Sequence, residues 1–266
     1  MKISVITVTK NNKNGLMCAI ESVWCQSYHN IEHIIVDGSS TDGSVEILQQ
    51  AKKSRKRTHN SLPIIDHYSL VTISEVDSGI YDALNKGIKI ASGDVIGLLH
   101  SDDLFANEFV LSKAVEKFQQ KSVDAVYGDL VYVRSSDINK VIRYWKSGEY
   151  NPKKMIYGWM PPHPELFVKK DIYLKYGLYD TSLKIASDYE MILRLFWKHK
   201  ISTAYLPKII TKMRWGGASN KSFGNLLTKS KEDYIAMKKN GLPLPCFALA
   251  LKNIRKIPQF IGNKYI

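Results

Sequence analysis

The chain opens on KISVITVT (2–9), a β-branched apolar run that predicts a buried strand, and apolar positions at helical spacing follow over about 15–27. IEHIIVD predicts a second strand. TDGSVEILQQAKK then has the pattern of a helix opened by a Thr or Asp cap. A third strand is expected near 71–76, a helix over about 80–91, a fourth strand in DVIGLL and a helix in NEFVLSKAVEKFQQ. Apolar residues fill these strands continuously, as they do where both faces of a sheet are covered. Strands alternating with helices of this length predict a mostly parallel sheet flanked by helices, an α/β fold.

The rhythm changes in the second half. DAVYGDLVYV and KVIRYW read as strands with no helix between them, and ELFVKK and ISTAYLP as further strands around a helix over about 187–198. A mixed sheet is expected there. From Ser222 the pattern becomes helical and basic, so the expected organisation is a domain over 1–217 and a basic helical segment over 218–266. The run KKSRKRTHN (52–60) reads as a solvated helix end and loop.

Ligands of open α/β sheets gather outside the carboxyl ends of the strands. Those ends are TVTKNN, VDGSSTDGS, SEVDSG and HSDD, and all are polar. The last raises the sharpest question. In DVIGLLHSDDLF, Asp102 and Asp103 stand side by side where a buried strand should stop, and adjacent carboxylates repel each other and resist desolvation. A divalent cation removes that conflict. Mg2+ or Mn2+ takes oxygen ligands, often only one or two of them protein carboxylates, and leaves positions for water and phosphate. The alternative is that Ser101, Asp102 or Asp103 caps the following helix. Asp37 also follows a buried strand and is placed to accept hydrogen bonds from a nucleobase or ribose, with Gly38 and Gly43 permitting tight turning. That stretch lacks G-x-G-x-x-G, and G-x-x-x-x-G-K-[ST] is absent from the chain, which lowers the weight of dinucleotide oxidoreductases and P-loop enzymes.

Composition adds two constraints. A hydrophobic content of 44% supports a sizeable core, and a formal net charge of +13 favours an anionic partner: nucleic acid, a phosphorylated small molecule or an acidic membrane surface. Cys18, Cys25 and Cys246 form an odd set without C-x-x-C, so neither a disulfide framework nor a structural zinc site is indicated. Cys18 and Cys25 are expected to pack inside, which suits a reducing compartment. Neither a secretory leader pattern nor a run of eighteen apolar residues is found, and the expected location is the cytoplasm.

Taken in order, SVITVTKNN, IIVDGSSTDGS, DSGIYDALNKGIKIASGDVIGLLHSDD and ASDYEMILRL resemble family 2 glycosyltransferases of the GT-A fold, over roughly residues 2 to 217. The resemblance implies transfer of a sugar from a nucleotide-sugar donor to an acceptor hydroxyl, with inversion and with Mg2+ or Mn2+. It makes 1–105 a nucleotide-binding half and 106–217 an acceptor-side half. It places Val8 and Thr9 beside the nucleobase and Asp37 on the base. Asp77, Asn85 and Lys86 would line the nucleotide and diphosphate. Asp102 would lie towards the ribose and Asp103 would be the principal metal ligand. Many members carry a second Asp where this chain has Gly38. Asp188 matches the general base, with Glu190 in reserve, and PPHPELF and RWGGAS place His163 and Gly216 on the acceptor side. The chemistry has its own demand: inversion puts the base and the leaving group on opposite faces of the sugar, so the base should come from a different segment than the metal pair. Asp188 and Ser187 also fit a helix cap, and Trp145, Trp159 and Trp215 are expected in the core before being assigned to sugar stacking.

The implied setting is assembly of a surface polysaccharide, lipopolysaccharide or related glycan, with a sugar acceptor that many relatives meet on a lipid carrier. An amphipathic basic tail is compatible with peripheral contact at the inner face of the membrane and equally with packing on the domain. A sugar-phosphate nucleotidylyltransferase would need a glycine-rich basic loop that TVTKNNKNG does not supply. A nucleic-acid-binding protein would leave the acidic strand ends unexplained, since they repel phosphate without a metal. A catalytically dead sugar-nucleotide binder sits poorly with the presence of both Asp103 and Asp188.

Overall fold

A computed structural model describes residues 1–54, 68–216 and 223–260; most of the basic run at 52–60 lies outside them. Four parallel strands form the first half of the sheet: β1 (Ile3–Thr9), β2 (Ile31–Asp37), β3 (Tyr68–Ser74) and β4 (Val95–Leu98), side by side in the order β3-β2-β1-β4. Their neighbours explain the uninterrupted apolar pattern. Ile6, Val8, Ile34 and Val36 pack with helix α3 (Ile80–Ile90). The alternate positions Ile3, Val5 and Ile35 join cores that hold helices α1 (Lys13–Trp24) and α2 (Ser44–Ser54). Successive side chains of a strand point to opposite faces, so burial on both faces requires apolar residues throughout. The exception is β3, half-exposed at the sheet's edge; it starts at Tyr68, earlier than the sequence suggests, because Tyr68 pairs with Ile31.

The second half is mixed, as its spacing predicts. Strand β6 (Ala125–Arg134) follows helix α4 (Val110–Lys121) and forms a hairpin with β7 (Asp137–Trp145). Strand β8 (Leu166–Lys169) is antiparallel to both β4 and β6 and joins the two halves. Beyond β6 lies β9 (Thr203–Arg214), longer than the segment ISTAYLP implies because it continues through Pro207. Proline cannot donate to a ladder, and the register against β6 shifts there.

Between β4 and α4 the chain forms the short strand β5 (Leu104–Phe105), which pairs with the far end of β9. This rules out the capping alternative for Ser101–Asp103, since the residue before α4 is Phe109. Helix α5 (Pro152–Ile156) follows β7, and α6 (Lys170–Tyr176) follows β8. Helix α7 (Ser187–Ile192) runs into a π-helical turn, Leu193–Lys198. Its N-cap is Ala186, so Asp188 lies inside the first turn and is not the cap.

The basic segment consists of α8 (Phe223–Lys239) and α9 (Pro245–Ile254), and Ala236, Met237, Leu242 and Ala248 belong to the same core as the sheet. A buried ion pair, Lys252 to Asp233 at 2.7 Å, ties the two helices together. The segment therefore packs on the domain. Among the described residues no helix is long and apolar enough to cross a membrane. Two expectations about burial are corrected. Cys25 ends α1 in an exposed position because it follows the last turn, and Trp215 is 40% exposed because it lies just past β9.

Candidate active site

Parallel register brings the polar strand ends into one row: Thr9 pairs with Asp37, and Asp37 with Ser74. Asp37 is fully buried; its Oδ2 accepts from Ser74 Oγ at 2.6 Å and from Ser40 N at 3.1 Å. Its Oδ1 and the hydroxyl of Thr9 are buried without a hydrogen-bond partner, and Val8 lies buried beside them. Across Gly38 stands Asp77, half-buried, whose Oδ1 accepts from Gly79 N at 3.0 Å. A Cβ on Gly38 would lie 2.3 Å from Asp77 Oδ2, so a side chain there requires the Asp77 carboxylate to move.

Two residues assigned to the nucleotide side have other partners. Asn85, on α3, exchanges two hydrogen bonds of 2.9 Å with the backbone of Tyr179. Lys86 holds Glu75 at 2.9 Å, Asp82 at 3.6 Å and the carbonyl of Val76 at 2.7 Å. Asn85 thus ties the donor half to the acceptor half, and Lys86 is already neutralised.

The turn after β4 holds the acidic doublet. Asp102 is half-buried, while Asp103 is 1% exposed with a buried, partnerless Oδ1. Burial, reinforced by the charge of Asp102, raises the Asp103 pKa well above the usual carboxylate range, against the backbone and guanidinium of Arg214 at the end of β9. An orphaned buried acceptor with a like-charged neighbour is what a divalent cation would neutralise. Among the described residues no three His, Cys, Asp or Glu side chains converge to enclose a cation alone. The donor set therefore suits a hard cation that takes its other oxygens from water and phosphate.

Asp188 reaches the same region from α7. It is half-buried, with Oδ1 accepting from Tyr189 N at 2.7 Å and lying 3.4 Å from the hydroxyl of Tyr81. Two histidines lie close to the carboxylates, their rings stacked with centroids 6.5 Å apart. Burial lowers the His100 pKa against the charges of Asp102 and Asp188, and pushes His163 down to about 4, opposed by Asp188 and assisted by His100. His163 Nε2 is 2.6 Å from the Tyr179 hydroxyl, so a neutral ring shares a proton there. The reserve candidate points elsewhere: Glu190 is fully buried and bonded to Arg194 at 2.9 Å and Asn240 at 3.2 Å. Gly216, with φ +111, lies exposed beyond β9, and its motif RWGGAS runs outside the described residues from 217.

Sequence reasoning passed over Tyr81, His100, Glu165 and Arg214. Glu165 is fully buried, neither carboxylate oxygen has a hydrogen-bond partner, and burial with the nearby charge of Asp103 raises its pKa despite Thr211 alongside. A signal existed in PPHPELF, where a carboxylate opens an apolar strand. Its meaning depends on β8 lying beside β4, which the sequence does not announce.

A parallel sheet continued by antiparallel strands, with carboxylates at the ends of β2 and β4 and another on a later helix, has the architecture of the GT-A glycosyltransferases. Glycosyl transferase family 2 matches residues 4–168, and the chain belongs to that family. An uncharacterised glycosyltransferase of Mycobacterium tuberculosis is 33% identical over 200 residues, 72% of this chain and 68% of the relative. A PGL/p-HBAD biosynthesis glycosyltransferase of Mycobacterium bovis is 24% identical over 219 residues, covering 82% and 78%. Among solved structures, S. aureus TarS 1-349 matches with a TM-score of 0.67 at 17% identity, covering 100% of this chain and 74% of that one. The mannosyltransferase PcManGT of Pyrobaculum calidifontis, in complex with GDP-Man and Mn2+, matches with 0.66 at 18%, covering 98% and 73%.

Proposed function

We propose that the protein moves a sugar from a nucleotide-diphosphate sugar to an acceptor hydroxyl, with inversion at the anomeric carbon. The observation that carries this reading is the buried, partnerless Oδ1 of Asp103 beside Asp102, near the strand ends that hold Asp37, with Asp188 arriving from a separate element. Support comes from relatives of known content: TarS has been seen with UDP-GlcNAc and PcManGT with GDP-Man and Mn2+.

In this reading Val8, Thr9 and Asp37 receive the base, Asp77 and Asp102 the ribose side, and Asn85 braces the wall behind them. Lys86 reaches a phosphate only by leaving Glu75 and Asp82. Asp103 and Asp102 would hold Mg2+ or Mn2+, which when bound supplies Lewis-acid stabilisation of the diphosphate leaving group. Asp188 takes the proton of the acceptor hydroxyl as its oxygen attacks the anomeric carbon. The Tyr81 hydroxyl, donating to Ile185 O at 2.6 Å, stands beside that carboxylate and limits its rotation. His163 and Gly216 border the acceptor. The biological setting is assembly of a surface polysaccharide, lipopolysaccharide or related glycan in the cytoplasm, at the inner face of the membrane where a lipid-linked acceptor is presented. The M. bovis relative, named for PGL/p-HBAD biosynthesis, supports that setting.

The test is a screen of nucleotide-sugars for thermal stabilisation with and without Mn2+. A ligand at a hundred times its Kd stabilises the folded state by about 2.7 kcal/mol, a rise of several degrees in Tm. We expect one nucleotide to give that rise only with the metal. A panel of UDP-, GDP-, CDP- and dTDP-sugars without effect under either condition would defeat the proposal.

A further inference from the structure

A cleft of about 450 Å3 lies between β7, the turn after α5 and the end of α9, within the size range of small-molecule sites. One wall is aromatic, built from Trp145 and Trp159. Lys146, Lys252, Arg255 and Lys256 also line the cleft, and among the described residues no carboxylate does. The nearest acid, Asp233, is buried and already paired with Lys252 at 2.7 Å. Lys256 bonds to the side-chain oxygen of Asn253 at 2.9 Å, and among the described residues no carboxylate pairs with it. Burial pushes the Lys256 ammonium down to about 8, Lys229 and Lys252 push the same way, Asp233 opposes them and Arg143 adds to them. Among the described residues, therefore, Lys256 brings to the cleft a positive charge that no carboxylate pairs.

Its walls are firmly set. Gly158, with φ +74, lies against α9 so closely that a Cβ would come within 2.3 Å of Lys252 N. Trp159 Nε1 donates to Ser147 O at 2.8 Å. The Arg143 guanidinium is held by Gln259 and lies 4.7 Å from the centre of the Tyr132 ring. Those contacts also connect the cleft to the site. The pKa of Tyr132, raised first by burial, responds to Asp103, Glu165 and Asp188. Lys252 Nζ sits 3.3 Å from the ring centre of Tyr189, the residue after Asp188. The Tyr132–Arg143 and Tyr189–Lys252 contacts thus link the cleft to the neighbourhood of the carboxylates.

We propose that this cleft binds the phosphate or diphosphate ester of an amphiphilic acceptor, with Lys256 and its neighbouring cations on the ester and the aromatic wall on the apolar chain. The inference rests on the transferase reading, with its lipid-linked acceptor, and adds to it a place for the acceptor's anionic group. A charge-assisted contact in a half-buried site contributes enough to decide occupancy, whereas an exposed lysine does not.

The test uses the full chain in EDTA, which removes divalent-dependent binding at Asp103, at constant ionic strength. Titration calorimetry measures dodecyl phosphate below its micellar concentration, inorganic pyrophosphate, and phosphatidylcholine vesicles with and without phosphatidylglycerol. We expect saturable binding of dodecyl phosphate, tighter than of pyrophosphate. Lys256→Glu should weaken it at least about tenfold, while Lys256→Arg stays within about threefold. Manganese-dependent stabilisation by nucleotide, measured on the same protein preparations without EDTA, should not change and reports that the variants are folded. Equal affinity of parent and Lys256→Glu for dodecyl phosphate would overturn the proposal. So would binding confined to phosphatidylglycerol vesicles, which would mark the cations as a general membrane surface. If amphiphile binding follows Lys256 but no nucleotide stabilises the parent, the ligand class stands and the transferase reading beneath it fails.

Discussion

The two halves of the sheet gather their chemistry by different means. In β3-β2-β1-β4 the strands are parallel and in register, so Thr9, Asp37 and Ser74 meet because each closes its own strand. In the mixed half nothing so regular operates. Glu165 stands just before β8, Arg214 ends β9 and Asp188 lies in the first turn of α7, and the first two approach the doublet because β8 and β9 cross to it. The halves also differ in charge. The first ends in buried, partnerless acceptors, whereas the second ends in the basic cleft of α9. In the proposed reading, donor recognition follows from topology and acceptor recognition from particular contacts.

The strongest way to break this contrast is at Asp103. Asp103→Asn keeps the shape but removes the charge that a cation needs, and we expect loss of metal-dependent nucleotide stabilisation together with transfer; retention of both would remove the metal assignment. Asp188→Asn should divide the halves most clearly. Nucleotide stabilisation is kept, while transfer falls roughly a hundred- to ten-thousand-fold, the range for a general base. Transfer near the parental rate would move the base elsewhere.

Glu190→Ala is the complementary change. It leaves the half-buried Arg194 with the carbonyls of Tyr176 and Leu178 but without its carboxylate, at a cost of about 3 kcal/mol in urea unfolding. A loss of transfer without a loss of stability would restore Glu190 as the base. Acid tests both halves, since His163 in the second is pushed down to about 4 by burial and His33 belongs to the first. His33 is fully buried between Thr7 and Tyr68, and burial pushes it down to about 3. An unfolded histidine titrates near pH ~6.5. Between these values the unfolded chain binds the extra proton, so this contribution is complete above the upper value and declines as pH falls towards the lower. His33→Gln should flatten that decline, and an unchanged pH profile would show that His33 does not set it. Gly38→Ala should have the smallest effect. Its Cβ meets the end of a movable carboxylate, so stability changes by under about 1 kcal/mol while nucleotide affinity falls a few-fold.

Much of the donor half was legible because parallel strands buried on both faces must be apolar throughout and must end on polar residues. The acidic doublet was readable for the same reason, although its capping alternative fell only when β5 was found pairing with β9. Asn85 and Lys86 were located as residues but not in their partners, since Tyr179 and Glu75 meet them through loops. Trp215 and Cys25 were placed inside on hydrophobicity, and both proved exposed because each lies just past the end of its element.

The sequence by itself determined the α/β alternation, the row of polar strand ends and the resemblance carried by their order, because periodicity and strand termini are local properties of the chain. Only the tertiary structure decided that Glu165 and Arg214 stand beside Asp103, that Glu190 turns to Arg194, and that α9 closes a basic cleft near Asp188. Those facts depend on antiparallel crossings and long-range packing, in which residues far apart in the chain meet through contacts that no local pattern encodes.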